Sequence, residues 1–399
     1  MRDESTALTE AQAAAAADAA FGADMYQVLA EDAADTVFSP ASVASALRMA
    51  LAGARGQTAA ELARALHLNG PGGPGPPEDA AASGLYLASA WRDGGPGGAA
   101  SAGSGGSAIF RAPNTVWVQS GLPLRAGFTS RLSHAAATVG DADFATAPEA
   151  ARAEINRVIA EQTAGKITGL LPPDAITALT RLVLASAVYL KAAWTQPFPE
   201  GATAGAPFYP DGPDRPGLTV PMMRLTASRA YLRGDGYQAV LLPYQGLSLA
   251  MAVVLPDGPL AALRPKVAAA GLGALLAGTA RCQVALSLPR FRLEAAFSLI
   301  PALRRLGVAA AFDGGADFSG ITEAEPLRIG AVAHKAYIDV DEQGTEAAAA
   351  TAVAIAMKAA IRPTRPVTMI VDRPFLFAII DTATGLPVFL GQVSHPRSA

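Results

Sequence analysis

Apolar positions along the chain change rhythm about a quarter of the way in. Residues 8–69 read as helical. Ser39 followed by Pro40 opens one helix with proline at its first position, Gly53 closes it, and 57–68 forms the next with Leu62, Ala65 and Leu66 on one face. Residues 109–119 then read as a strand and 147–164 as a helix, while 181–191 is almost wholly apolar, as in a strand buried on both faces. Strand pairs around turns such as Arg233-Gly234-Asp235-Gly236 occupy 231–255, and 260–277 is helical. Further strands are predicted at 283–293, 327–340, 367–371, 375–380 and 387–393, with a helix at 294–306 and a hairpin cue at 381–387 around Gly385. Helices gather early and strands late without regular alternation, which predicts an α+β fold. Residues 70–108 differ in character. Their Gly and Pro clusters, around a short stretch 78–93 that suits one helix, read as a surface excursion.

One segment resists this pattern. Gly344, Thr345 and Glu346 run into Ala347, Ala348, Ala349, Ala350 and Thr351 between two strand-rich stretches. Local propensity favours a helix over 346–360, capped by Thr345 and stopped by Pro363. The other reading is a loop small enough to slide between two existing strands, with Thr345, Ala347, Ala349, Thr351 and Val353 sharing one face. Both readings fit the local pattern, so context must separate them.

Composition narrows the function. The 399 residues are 51% hydrophobic, enough for a large core, and 31 basic against 34 acidic residues leave a net charge of −3 with no basic run. Nucleic acid and anionic membrane surfaces are therefore not expected partners. The one cysteine, Cys282, forms no intrachain disulfide and alternates with Val284, Leu286 and Leu288, so a buried thiol is expected. The N-terminal stretch carries Asp3, Glu4, Glu10, Asp18 and Asp24 and reads as a first helix in place of a signal peptide. No apolar run approaches the ~18 residues of a spanning helix. A cytoplasmic location is the default, with an extracellular one open if the chain is exported or its N-terminus is incomplete.

Catalytic signatures are missing. There is no Gly-x-Ser-x-Gly elbow, Walker A loop or His-Glu-x-x-His. The Gly-x-Gly-x-x-Gly match at Gly70, Gly72 and Gly75 is interrupted by Pro71 and Pro74, which preclude a strand-to-helix phosphate turn. His67, His134, His334 and His395 are too dispersed for a metal site, and no cofactor is indicated. His334 stands out as a polar ring in an apolar strand, which must find hydrogen bonds internally.

Motifs spread over the chain then point one way. Phe38-Ser39-Pro40-Ala41-Ser42-Val43 through Leu51-Ala52-Gly53-Ala54-Arg55-Gly56-Gln57-Thr58 resembles the helix B to helix C signature of the serpin family. Ile155-Asn156 to Gly165-Lys166-Ile167 agrees in order, as do Thr180 to Lys191 with Trp194, Val220-Pro221-Met222-Met223, and His334-Lys335-Ala336 through Glu342, Gly344, Thr345 and Glu346. Arg373-Pro374-Phe375-Leu376-Phe377 and Gly391-Gln392-Val393 complete a resemblance covering about residues 10 to 396.

The resemblance implies a serpin fold in a single domain over 1–399, with three β-sheets, about nine helices and an exposed reactive-centre loop at 342–366. It implies a metastable protein, not an enzyme, that traps a serine protease as a suicide substrate by inserting the cleaved loop into its central sheet. Insertion needs small residues at its start, and Gly344 to Ala350 supplies them. The family's spacing of sixteen residues after the position of Glu342 puts the reactive bond at Lys358–Ala359, which suits a trypsin-like protease, with Met357 and Arg362 as rivals. Arg290, Glu342 and Trp194 match loop-entry residues. Ser39, Ser42 and His334 match a polar cluster that governs sheet opening, in which Ser186 replaces the usual Asn, so rewiring through water is expected. The 78–93 segment matches a helix that binds heparin in some relatives, but its only basic residue is Arg92, so heparin is not expected to bind. A monomer is expected. The alternatives are a noninhibitory serpin acting as carrier or chaperone, and an inhibitor of cysteine proteases.

Overall fold

The computed structural model describes residues 4–30, 34–68, 108–134, 138–346 and 365–397. Among these lie seven α-helices: α1 (Glu4–Leu29), α2 (Pro40–Leu51), α3 (Gly56–Ala65), α4 (Ala126–His134), α5 (Pro148–Gln162), α6 (Arg264–Leu276) and α7 (Ile300–Arg305). The strands begin with β1 (Thr36–Phe38), β2 (Ile109–Arg111), β3 (Asn114–Gln119), β4 (Thr138–Ala142), β5 (Leu182–Ala193) and β6 (Ala204–Phe208). They continue as β7 (Leu218–Gly234), β8 (Tyr237–Pro243), β9 (Leu249–Pro256), β10 (Ala280–Pro289) and β11 (Phe291–Ser298). The last are β12 (Ile329–Val340), β13 (Gly344–Thr345), β14 (Val367–Ile370), β15 (Phe375–Asp381) and β16 (Pro387–Val393).

One sheet has the order β11-β12-β13-β5-β3-β4, with β2 also beside β5. The other runs β1-β16-β15-β9-β8-β7-β10-β14, with β6 paired to β7. This second sheet branches at the long β7, whose later part pairs with β8 while its earlier part pairs with β6. Two of the three expected sheets are thus joined by one continuous strand.

Strand β5 shows how the sequence sets the layers. Its odd positions Val183, Ala185 and Ala187 pack with Ile155 and Ile159 of α5, and its even positions Leu182, Leu184, Val188 and Leu190 face the interior between the sheets. Both faces are covered, so the strand reads as nearly continuous apolar sequence. Ser186 is on the interior face, directly over the start of α2.

Several predicted elements come out differently, each because a nonlocal pairing wins over local propensity. Strand β1 interrupts the run predicted as helical and pairs with β16. The strand predicted at 109–119 breaks around Pro113, which has no N–H to donate, into β2 and β3 on the same neighbour. The helix predicted at 294–306 is strand as far as Ser298, with Glu294 opposite Tyr337, and only α7 is helical. The 260–277 helix divides into a 3₁₀ turn at Leu260–Leu263 and α6. Cys282 is only partly buried, on β10 opposite Arg229. The 78–93 segment lies outside the described residues.

Candidate functional site

Strand β12 ends in a turn built by one carboxylate. Asp341 Oδ1 accepts from the amides of Gln343 (2.8 Å) and Gly344 (3.1 Å), reversing the chain. Gly344 and Thr345 then enter the sheet as β13, with Gly344 opposite Ala193, and Thr345 between Ala192 of β5 and Val340 of β12. Gly344 is required by proximity, because a Cβ there would lie 2.0 Å from the carbonyl oxygen of Ala192. Gly344→Ala should push this segment out of the sheet. The Glu346 amide, which donates to Asp339 O at 2.7 Å, is then expected to exchange with solvent at least about tenfold faster in hydrogen-exchange mass spectrometry.

Side chains around this entrance form a frame. Trp194 donates from Nε1 to Asp341 O (3.0 Å) and from its amide to Gln343 O (2.8 Å), and its ring stacks on Tyr244 with centroids 4.5 Å apart. The Tyr244 hydroxyl sits 2.5 Å from that of Thr345, which is fully buried. Glu342 Oε1 accepts from Arg290 Nε (2.9 Å) and from the hydroxyl of Thr203. Burial pushes the Glu342 carboxyl up, but the bonds from Arg290 and Thr203 outweigh it and hold the group below its ordinary value.

At Glu346 the chain leaves the sheet in a left-handed conformation, φ +44°, and its carboxylate pairs with Lys166 after α5. Below this point there is no gap for a third strand. Tyr337 and Tyr189 face each other, and β12 and β5 pair directly from there down to Ile329 and Leu182.

Beneath that closed seam is a hydrogen-bonded chain whose direction can be derived. The Ser39 amide donates to His334 Nε2 (3.0 Å), so Nε2 carries no proton and the neutral ring is protonated at Nδ1, 3.0 Å from Ser186 Oγ. Ser42 Oγ donates to Asn114 Oδ1 (2.9 Å), so it accepts from Ser186 Oγ, also at 2.9 Å. Ser39 in addition caps α2, its Oγ accepting from the Ser42 amide at 3.1 Å. Burial pushes the His334 ring down to about 3 from its ordinary 6.5. Between pH 6.5 and about 3 the unfolded chain therefore binds a proton that the folded one does not. Stability conferred by the neutral ring is complete above pH 6.5 and is lost as pH falls through this window, by ~1.4 kcal/mol per pH unit. His334→Asn should remove that part of the slope in acid unfolding curves.

A family model described as Serpin (serine protease inhibitor) matches residues 16–396. The chain belongs to the serpin family. An uncharacterized serpin-like protein of Thermococcus kodakarensis is 37% identical over 385 residues, covering 94% of this serpin and 84% of the relative. The leukocyte elastase inhibitor of Sus scrofa is 33% identical over 392 residues, covering 96% and 99%. Among solved structures, cleaved Serpin 42Da superposes with a TM-score of 0.83 at 29% identity, covering 98% of this serpin and 100% of that chain. The family is one of protease inhibitors, not enzymes. Among the described residues no helix is long and apolar enough to cross a membrane.

In this serpin the residues singled out from sequence fall into two assemblies. Glu342, Arg290, Trp194, Gly344 and Thr345 meet at the sheet entrance, and Ser39, Ser42, Ser186 and His334 meet beneath the seam. Ala347, Ala348, Ala349 and Ala350, the Lys358–Ala359 bond and its rivals Met357 and Arg362 lie outside the described residues. For Thr345 the helix-cap reading is replaced by a place in strand β13. Sequence reasoning missed Asn114, which stands opposite Ser186 across β3 and β5 and brings a carboxamide to the cluster from the neighbouring strand. Ser186 is thus linked through Ser42 to the Asn114 carboxamide. Asn114 gave a weaker form of the His334 signal, a polar residue opening the strand-like run Asn114-Thr115-Val116-Trp117. Thr203 and Tyr244 were also missed, since nothing local marks a partner 139 or 101 residues away.

Proposed function

We propose that this serpin inhibits serine proteases as a suicide substrate, with Lys358–Ala359 as the bait bond and a trypsin-like enzyme as the target. The observation that carries the reading is the entrance between β12 and β5, where Gly344 and Thr345 are already paired while the strands below are closed on each other. The protease serine attacks the carbonyl carbon of Lys358, the amide bond breaks, and Ala359 leaves as a new N-terminus. The acyl ester remains on the chain that ends at Lys358. If residues from Glu346 onward then follow Thr345 into the sheet, they bond to β12 on one side and β5 on the other while the direct β12–β5 bonds are broken, a net gain of one ladder. At ~0.5–1.5 kcal/mol per bond, a strand of about a dozen residues gains on the order of ten kcal/mol.

Each assembly has a role in this reading. Glu342, Arg290, Thr203 and Trp194 fix the point where the loop turns into the sheet. In an inserted strand residues 345, 347 and 349 fall on one face, and the small size of Thr345, Ala347 and Ala349 keeps insertion fast. The Ser186–His334 bond spans β5 and β12, so opening the seam must break it, and Asn114 and Ser42 set how readily Ser186 lets go.

Mixing the protein with trypsin tests the proposal. A complex that survives a denaturing gel, with release of a C-terminal peptide whose mass places its first residue at Ala359, is the expected result. Complete cleavage at that bond with no complex would count against inhibition of trypsin-like enzymes.

A further inference from the structure

After the bait segment the chain rejoins the fold through β14, whose first residue Val367 pairs in parallel with Val284 of β10, and β10 in turn pairs with β7. These three strands hold Arg224, Arg229, Arg233 and Arg281 and no acidic residue, and Arg365 leads into β14. The sequence 347–364 brings no carboxylate either.

Alternation sorts these arginines. Val284, Leu286 and Leu288 of β10 are buried while Arg281 and Gln283 are exposed, so the odd positions of β10 face outward. Register places Arg224 opposite Ser287, and Thr368 and Ile370 opposite Ala285 and Ser287, on that same face. Arg224 and Arg281 are exposed there, and Arg365 is exposed two residues before Val367, at the end of the strands that holds Arg281. Arg229 stands opposite Cys282 on the inner side, 4% exposed. Its guanidinium donates to Gln196 O at 3.0 Å, and burial together with the charge of Arg281 pushes it down to about 10, so it stays cationic at neutral pH. Among the described residues Arg233 is neutralised by Asp257 at 2.8 Å, and no carboxylate bonds to Arg224, Arg229, Arg281 or Arg365. Asp211 and Asp214 sit with Arg215 before the start of β7, a dozen residues of strand away from Ala230, the residue opposite Arg281.

Chain length brings the protease to this face. With the bond at Lys358–Ala359, seven residues and at most ~25 Å separate Lys358 from Arg365, against twelve residues and ~43 Å from Glu346. An enzyme body tens of Å across that holds Lys358 is therefore tethered most closely on the β14 side.

We propose that the outward face of β14, β10 and β7, with Arg281 and Arg365 at its centre, is a docking surface for an acidic patch on the target protease, outside that enzyme's specificity pocket. It rests on the inhibitory reading and adds a second determinant of which enzyme is taken. Charges at the rim of an interface act mainly on the encounter rate and are screened by salt. This face therefore speeds the approach of enzymes with acidic surfaces, while the outcome after acylation is decided at the β12–β5 seam.

Two trypsin isoforms of opposite net charge, which share a pocket for lysine, test this against the paired variants Arg281→Glu with Arg365→Glu and Arg281→Gln with Arg365→Gln. The readout is the second-order rate constant for consumption of the intact chain at Lys358. With the anionic isoform in about 50 mM salt, the Glu pair is expected to react at least about tenfold more slowly than wild type and the Gln pair to fall between, and the differences should close in about 500 mM salt. Both arginines are exposed, so melting curves matching wild type are expected, and the neutral pair carries the comparison if charge reversal upsets folding. Equal rates for wild type and variants toward the anionic isoform at low salt would overturn the proposal. So would equal slowing toward the cationic isoform, which would trace the effect to the loop and not to charge. Cleavage without complex would count against the inhibitory reading alone, because the rate of cleavage still reports docking.

Discussion

Thr345→Arg is expected to turn the proposed inhibitor into a substrate. The Thr345 side chain is fully buried, its hydroxyl 2.5 Å from that of Tyr244, and Tyr244 is itself pressed against Trp194. The partner there is the neutral Tyr244 hydroxyl, and burying an unpaired charge costs several kcal/mol, far more than a polar contact returns. The bait bond is untouched, so acylation should proceed at its usual rate. The charge expels residue 345 from the place it already holds in β13, so insertion must first reseat it, and that step competes with hydrolysis of the acyl ester. Each 1.4 kcal/mol added to the insertion barrier shifts that competition about tenfold, so a complex yield reduced about a hundredfold or more is expected. Gel densitometry at fixed trypsin, with cleavage at Lys358 retained, is the measurement. Undiminished complex would mean that insertion proceeds without residue 345 seated between β12 and β5.

Asp18→Ala should give the largest loss of stability. Asp18 of α1 and Arg48 of α2 form an ion pair with side chains 3% and 0% exposed, and Arg48 Nε and Nη1 have no hydrogen-bond partner. Removing the carboxylate leaves a buried, uncompensated guanidinium, which costs about 3–5 kcal/mol. The pair itself is poorly satisfied, so replacing both partners, Asp18→Ala with Arg48→Met, should recover most of the loss. Urea unfolding of the two variants decides this. A double variant as unstable as the single one would show that the pair contributes more than mutual neutralisation. Helix α2 carries Ser39 and Ser42 at its start, so this clamp also bears on the cluster beneath the seam.

How much of this was legible in the sequence depends on how far each residue's partner lies along the chain. The α2 start was readable because Ser39, Pro40 and Ser42 carry their own capping chemistry. Strand β5 was readable because a strand covered on both faces must be apolar throughout. Strand β13 was not, since two residues become a strand only where β5 and β12 leave a gap to fill. Strand β11 was misread as partly helical although exposed Arg292, Glu294, Ala296 and Ser298 alternate with more buried neighbours, because pairing with β12 decides the outcome. Asn114 was missed because its role comes from standing opposite Ser186, a register that only the folded sheet sets.

The most direct test of the account is the thermal stability of the chain cleaved at Lys358. Insertion between β12 and β5 adds a full strand of hydrogen bonds to a seam that is otherwise closed on itself. With about ten kcal/mol gained, the melting temperature should rise on the order of 10 °C over the intact protein. A cleaved chain that melts where the intact one does would contradict insertion, and with it the proposal that this protein works by trapping its protease.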